Sequence, residues 1–420
     1  MKPIYLPGGI EFYSYRDTRF KQGALSIQFI RPMKKQESAK NALLPAVLLR
    51  GTETYPDLRA ITLHLDDLYG ASVSALVRRV GDYQTTGLYC NFMEDRFALD
   101  DDAILAPMIE FVGEILLNPV MEQDSFLSDF VESEKKNLIS TIESEINDKR
   151  VYAASQLMKI MCRGDSFGLP RLGETEDVES ITSEILYDHY RRVLCESPVQ
   201  VFYVGSAQPE EMAALLTKQF AKIPRKSLRL AAQTGFCGGE GSHGEESMDV
   251  AQAKLCMGFV TPITNRTKEF AAMQVLNTVF GGGMTSKLFM QVRERLSLCY
   301  SIGSAYYGTK GIVTVSAGID EEKEKIVRSE ILAQLDACRM GKITEEELTA
   351  AKEAVLSALR TVHDSPGAIE GYYSTNALSG LDMEPDDYSK AVEKITVQDV
   401  ASAARTLTYH SSFVLKGVGK

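Results

Sequence analysis

Tryptophan is absent from this 420-residue chain, histidine occurs five times, and positive charge is in the minority. With 46 Lys and Arg against 57 Asp and Glu, the net charge of −11 argues against a nucleic-acid groove as the main function. It also argues against docking on anionic lipid. No stretch approaches the roughly 20 apolar residues that span a bilayer. The opening MKPIYLPGGIEFYSYRD lacks an apolar run of signal-peptide length. The seven cysteines (Cys90, Cys162, Cys195, Cys237, Cys256, Cys299, Cys338) are odd in number, scattered, and without a C-x-x-C pair. Such a set does not suit a disulfide framework and suits reduced thiols, so the expected location is cytoplasmic. No two of the histidines (His64, His189, His243, His363, His410) lie within five residues of each other. His64 with Asp67 at i+3 would give half a metal site, but a helical His beside solvated acids reads more simply as structural. No G-x-S-x-G occurs, and no cysteine has a histidine neighbour.

What is present is an ordinary globular composition, 44% hydrophobic and 25% charged, in a chain long enough for two or more units. The chain is written twice. Glu179–Gly205, ESITSEILYDHYRRVLCESPVQVFYVG, parallels Glu393–Gly419, EKITVQDVASAARTLTYHSSFVLKGVG. Ile181-Thr182 matches Ile395-Thr396 and Val204-Gly205 matches Val418-Gly419, both at an interval of 214 residues (395 − 181 and 418 − 204). A period this long means two homologous domains in tandem, not a solenoid. Residues 231–247, AAQTGFCGGEGSHGEES, are rich in Gly and Ser and read as a linker. The expected domains are therefore 1–228 and 248–420, joined by 229–247.

Leu25–Ile30, Gly87–Phe92, Val199–Val204 and Gly311–Ala317 have strand character. Ile104, Met108, Val112, Ile115 and Leu116 recur at helical spacing, and Leu127, Val131, Leu138 and Ile142 share one face of a second, charged helix. Without a regular βαβ rhythm, the fold class expected is α+β, with antiparallel sheets covered by helices.

Several phrases together resemble the pitrilysin/insulinase family of inverted zinc peptidases, and within it the processing-protease branch. They are LLRGTETYP at 48–56, LYGASVSALV at 68–77, PVMEQDSFLSDFVESEKKNLISTI at 119–142 and, most specifically, FGGGMTSKLFMQVRERLSLCYSIGS at 280–304. VGSAQPEEM at 204–212 and the closing VLKGVGK add to them. The resemblance implies two similar halves with the LuxS-like metallohydrolase fold of mitochondrial processing peptidase, holding a peptide between halves or between subunits.

Active members carry H-x-x-E-H, whose histidines share one helical face and bind one zinc while the Glu acts as general base. Aligned on Gly51-Thr52, those positions are Ala42, Pro45 and Ala46, and a further Glu ligand falls at about Thr141, near Glu143 and Glu145. Methyl groups and a pyrrolidine ring bind no zinc and take no proton. Pro45 also lacks an N–H, so the local backbone is expected to depart from a regular helix. No cofactor is expected in this chain, and zinc only in a partner.

By the same resemblance Arg293 and Tyr300 match the family's Arg/Tyr pair, which holds the substrate backbone or a developing oxyanion, and Gly281, Gly282 and Gly283 form a turn close to the ligand. A helix C-cap is the plain alternative for the glycines, as are a solvated helical face for Arg293 and a core aromatic for Tyr300. At Leu296-Ser297 the family often has a basic residue and Gly, a departure that bears on the loop between the pair. The expectation is a non-catalytic, substrate-binding or regulatory subunit that binds a peptide or unfolded segment and assembles with a zinc-bearing relative or with itself. The alternative is a structural or chaperone-like peptide binder.

Overall fold

A computed structural model describes residues 1–221, 223, 225–226 and 229–417. The expected domain boundary at 228 and the echo residues Val418-Gly419 lie outside these. The chain divides into two compact units that interleave along the sequence: residues 1–143, 170–232 and 363–378 form the first, and 144–169, 233–362 and 379–420 the second.

The first unit holds strands β1 (Ile4–Leu6), β2 (Ile10–Arg16), β3 (Gln22–Pro32), β4 (Ser72–Val80), β5 (Tyr83–Met93) and β8 (Val199–Gly205), ordered β1-β2-β8-β3-β5-β4, plus a ribbon of β6 (Met121–Glu122) and β7 (Ser125–Phe126). Its helices are α1 (Lys35–Leu48), α2 (Leu58–Asp67), α3 (Leu105–Leu117), most of α4 (Ser128–Asn147), α6 (Thr175–Glu179), α7 (Ser183–Glu196), α8 (Pro209–Phe220) and nearly all of α12 (Pro366–Ser379). The second unit holds β9 (His243–Met248), β10 (Ala253–Val260), β11 (Cys299–Tyr307), β12 (Ile312–Ile319) and β13 (Thr408–Gly417), ordered β11-β12-β10-β13-β9. Its helices are α5 (Lys149–Met161), α9 (Phe270–Phe280), α10 (Glu324–Arg339), α11 (Glu345–Arg360), α13 (Pro385–Glu393) and α14 (Val397–Thr406).

Both sheets share one plan. In each, one pair is parallel (β2 with β8, β9 with β13) and the next three pairs are antiparallel. The 214-residue echo has a local cause. Thr182 and Thr396 each N-cap a helix, accepting hydrogen bonds from Ile185 N and Asp399 N, and each helix leads into the inner strand of its sheet's parallel pair, β8 and β13. A Ser/Thr cap is worth about 1 kcal/mol.

The four strands and two helices expected from the sequence coincide with β3, β5, β8, β12, α3 and α4, with Gly311, Ile104 and Leu127 each one residue before the element's start. The stretch 231–247 ends in strand β9, which pairs in parallel with β13 through Ser412↔His243. It is therefore joined to the second sheet rather than being a linker throughout. Helix α5, drawn from the first half of the sequence, buries Ala153 and Leu157 against Cys256, Phe413 and Leu415 of the second sheet. Helix α12, from the second half, buries Ile369 and Tyr373 against Tyr13, Phe202 and Val204 of the first. Each unit thus contains a helix that is distant in sequence from most of its strands.

Candidate functional site

Helix α1 carries the vacant metal positions. Ala42 and Pro45 are buried and Ala46 is half-buried, among buried Leu43, Leu44, Val47 and Leu48. The helix does not break at Pro45, contrary to expectation. A proline at this position leaves the carbonyl of Asn41, four residues earlier, without its helical donor. Thr86 Oγ1, on β5, donates to that carbonyl at 2.7 Å. The backbone thus keeps helical form because the neighbouring strand supplies the missing bond.

The same strand continues the network. Gln84 Nε2 donates to the carbonyls of Ser38 (3.1 Å) and Arg171 (2.6 Å), which leaves its Oε1 to accept from Asn41 Nδ2 at 2.8 Å. Asn41 Oδ1 then accepts from His189 Nε2 at 2.7 Å. His189 is fully buried, so its Nδ1 is the bare nitrogen, and it has no hydrogen-bond partner. Burial, aided by the charges of Lys40, Arg31 and Arg192, lowers the His189 pKa to about 3 and keeps the ring neutral. One turn beyond Ala46, Arg50 pairs with Glu134 at 3.3 Å and lies over the Phe130 ring.

These residues do not fit a zinc ion. Thr141 is exposed and bonds its own helix through Asn137 O, and Glu143 and Glu145 are exposed. His64 stacks on Tyr55 at 4.5 Å and accepts or donates a hydrogen bond to its hydroxyl, a structural role. Among the described residues, no group of three His, Cys, Asp or Glu is placed to hold a metal.

The second set of candidate residues clusters in the second unit. Gly281 is the C-cap of α9, as the plain reading had it, but it is also tightly placed. A Cβ there would lie 2.8 Å from Ser304 Oγ and 2.9 Å from Leu288 Cδ1, and its carbonyl accepts from Ser304 N. At Gly282 a Cβ would meet Thr278 Cα at 2.8 Å, whereas Gly283 faces open space.

Arg293 lies in Leu288–Arg295, a π-helix closed by Leu296 N donating to Gln291 O at 3.0 Å. Its guanidinium sits 4.6 Å from the Phe289 ring centroid and 3.7 Å from Glu294. Ser297 follows with φ of 49°, left-handed backbone at the position where the resemblance has glycine. The loop keeps the glycine's conformation without the glycine, at a cost of about 1 kcal/mol. β11 then presents Tyr300, 55% exposed, whose hydroxyl donates to Asp320 Oδ1 at 3.0 Å. Lys323 and then Tyr300 hold the Asp320 carboxyl below its usual range. Burial pushes the Cys299 thiol up to about 11, and the Arg293 charge opposes the shift. Met284, Met290 and Leu296, in the segment that leads to β11, are exposed.

The sequence reading missed the polar network under α1. A proline in a helix interior was the available signal, since it demands a donor from elsewhere. It also missed the buried pair of Lys310 Nζ with Asp165 Oδ1 at 3.0 Å in the second unit.

Residues 180–355 match the profile of the Peptidase M16 inactive domain. The chain is 28% identical over 419 residues to the probable inactive metalloprotease YmfF of Bacillus subtilis, covering 98% of this chain and 96% of that one. It is 24% identical over 305 residues to an uncharacterized zinc protease of Mycobacterium bovis, 71% of this chain and 68% of that one. A conserved protein from Enterococcus faecalis V583 superposes with a TM-score of 0.91 at 26% identity, covering 98% and 97% of the two chains. A peptidase M16 inactive domain from Pseudomonas fluorescens superposes at 0.81 and 17% identity, covering 100% and 98%.

Proposed function

This chain belongs to the pitrilysin/insulinase (M16) peptidase family as a member without the zinc-binding motif, and we propose that it is the non-catalytic, substrate-binding subunit of a heteromeric peptidase. In this reading a zinc-bearing relative supplies the metal and general base, and Arg293 and Tyr300 supply donors to the peptide backbone or to the oxyanion. Arg offers fixed, charged donors and Tyr a phenolic one. Such groups act through preorganisation, so they need a stiff support.

The observation that supports this reading best is the cost of the local geometry around the pair. A π-helix and a left-handed serine are both unfavourable, and such features concentrate at functional sites. At α1, by contrast, every formerly chemical position is filled with core-forming or inert groups.

Co-expression with a zinc-bearing relative of the same genome, followed by sizing and a peptide-cleavage screen, tests the proposal. The expected result is a hetero-oligomer that cleaves peptides which neither chain cleaves alone. A relative that is fully active without this chain, and does not bind it, contradicts the proposal.

A further inference from the structure

The second sheet has a hollow on the face that α5 only partly covers. Beyond α5, the strands near the sheet edge carry small groups: Ser301, Gly303 and Ala305 on β11, and Thr314, Ser316 and Gly318 on β12. The result is a cavity of about 400 Å³, walled on the helix side by Val151 and Ala154, with Arg150 and Lys254 among its lining. A valine left 46% exposed there is an apolar surface without a protein partner of its own size.

Three polar groups converge in one place. Lys254, Gly318 and Ser301 are cross-strand neighbours on β10, β12 and β11. The space above the Gly318 Cα, where a Cβ would stand, lies 3.1 Å from Ser301 Oγ, 3.4 Å from Lys254 Nζ and 3.6 Å from Gln252 Oε1. Lys254 Nζ donates to Gln252 Oε1 at 3.3 Å, so the amide atom turned toward this space is the acceptor oxygen, and the donors there are Lys254 and Ser301. Among the described residues no carboxylate lies within ion-pair distance of Lys254, and Arg150 makes only an exposed pair with Asp148 at 3.3 Å. Burial first, then the Arg150 charge, pulls the Lys254 pKa below its usual range, so positive charge here is incompletely compensated.

The first unit shows what such a kit can hold. There a hydroxyl, an amide and a cation converge on a buried carboxylate: Ser26 Oγ (2.6 Å), Gln28 Nε2 (3.1 Å) and Arg78 (2.9 Å to each oxygen) all donate to Glu370. In the second unit the hydroxyl and cation are Ser301 and Lys254, and among the described residues no carboxylate lies within ion-pair distance of that lysine.

We propose that this cavity binds the C-terminal carboxylate of a peptide, seated over Gly318 between Lys254 and Ser301, with the peptide's last side chains in the trough toward Ala305. Charge complementarity selects an anion. The edge position of β11 selects a peptide, because an edge strand offers backbone donors and acceptors to an extended chain. The peptide identity rests on the function proposed above; the anion site does not.

The test uses the full chain and an apolar hexapeptide labelled at its N-terminus, as the free acid and as the C-terminal amide, read by fluorescence anisotropy. A charge-assisted contact predicts that the acid binds at least ~10-fold tighter than the amide. Lys254→Met should erase that difference without lowering the melting temperature. Gly318→Ala, which places a methyl in the carboxylate's seat, should weaken the acid alone. Equal binding of acid and amide, no binding of either, or a preference that survives Lys254→Met overturns the inference. So does succinate binding as tightly as the peptide acid. If acid and amide bind equally but both are lost in Arg293→Ala, the substrate-binding function stands and the carboxylate site alone falls.

Discussion

The two units share one strand plan and differ in what occupies the chemically useful positions. In the first, helix α1 is closed over by core residues and a polar network, and the sheet face under α12 is filled by the bond between Arg78 and Glu370. In the second, the sheet face beside α5 is hollow, and strained backbone presents an arginine and a tyrosine to solvent. A duplicated fold can therefore lose chemistry in one copy without loosening it. The loss at α1 is accompanied by a replacement hydrogen bond for every backbone group the proline disturbs.

The contrast yields tests, from the largest effect down. Glu370 is fully buried and shared by three donors, so Glu370→Ala should destabilise the protein by about 3–5 kcal/mol, read by urea denaturation. A loss under 1 kcal/mol would mean that the first unit's sealed face contributes little. Next, Thr86→Val should cost about 1–3 kcal/mol, because the Asn41 carbonyl is left unpaired and buried. In a Pro45→Ala background, where the helix regains its own N–H, that cost should shrink. Additive effects would refute the compensation.

His189 gives a pH test of the same network. Below its ordinary pKa near 6.5 the unfolded ring takes a proton, whereas the folded ring takes one only near about 3. The unfolded state thus binds more protons between these values, and stability present above pH 6.5 is lost as the pH falls through that window. His189→Gln, which keeps a donor for Asn41, should flatten the dependence of melting temperature on pH. An unchanged slope would mean that His189 is not held neutral. The smallest effect is expected at Ser297→Gly, which should stabilise by about 1 kcal/mol by removing the left-handed side-chain penalty. A destabilised variant would show that the serine side chain is needed there.

Much of this was legible in the sequence. The duplication showed because Thr182 and Thr396 cap equivalent helices, and caps are local. The strands and helices showed through their hydrophobic periods. Motif position singled out α1 and the Arg293–Tyr300 pair, and the role of that pair is a proposal. Three things did not show. Pro45 suggested a broken helix, because the donor that repairs it lies 41 residues away on β5. The interleaving of α5 and α12 left no local mark, since an amphipathic helix does not record which sheet it covers. The hollow of the second unit arises from small residues on separate strands, aligned only when the sheet forms.

The central claim is that the chain works through Arg293 on a partner's substrate, and it is tested most directly by one rate. A peptide cleaved by the complex of this chain with a zinc-bearing relative should be cleaved about 10²–10³-fold more slowly when Arg293 is replaced by Ala, with assembly and melting temperature unchanged. An unchanged rate in an intact Arg293→Ala complex, or cleavage by this chain alone, would contradict it.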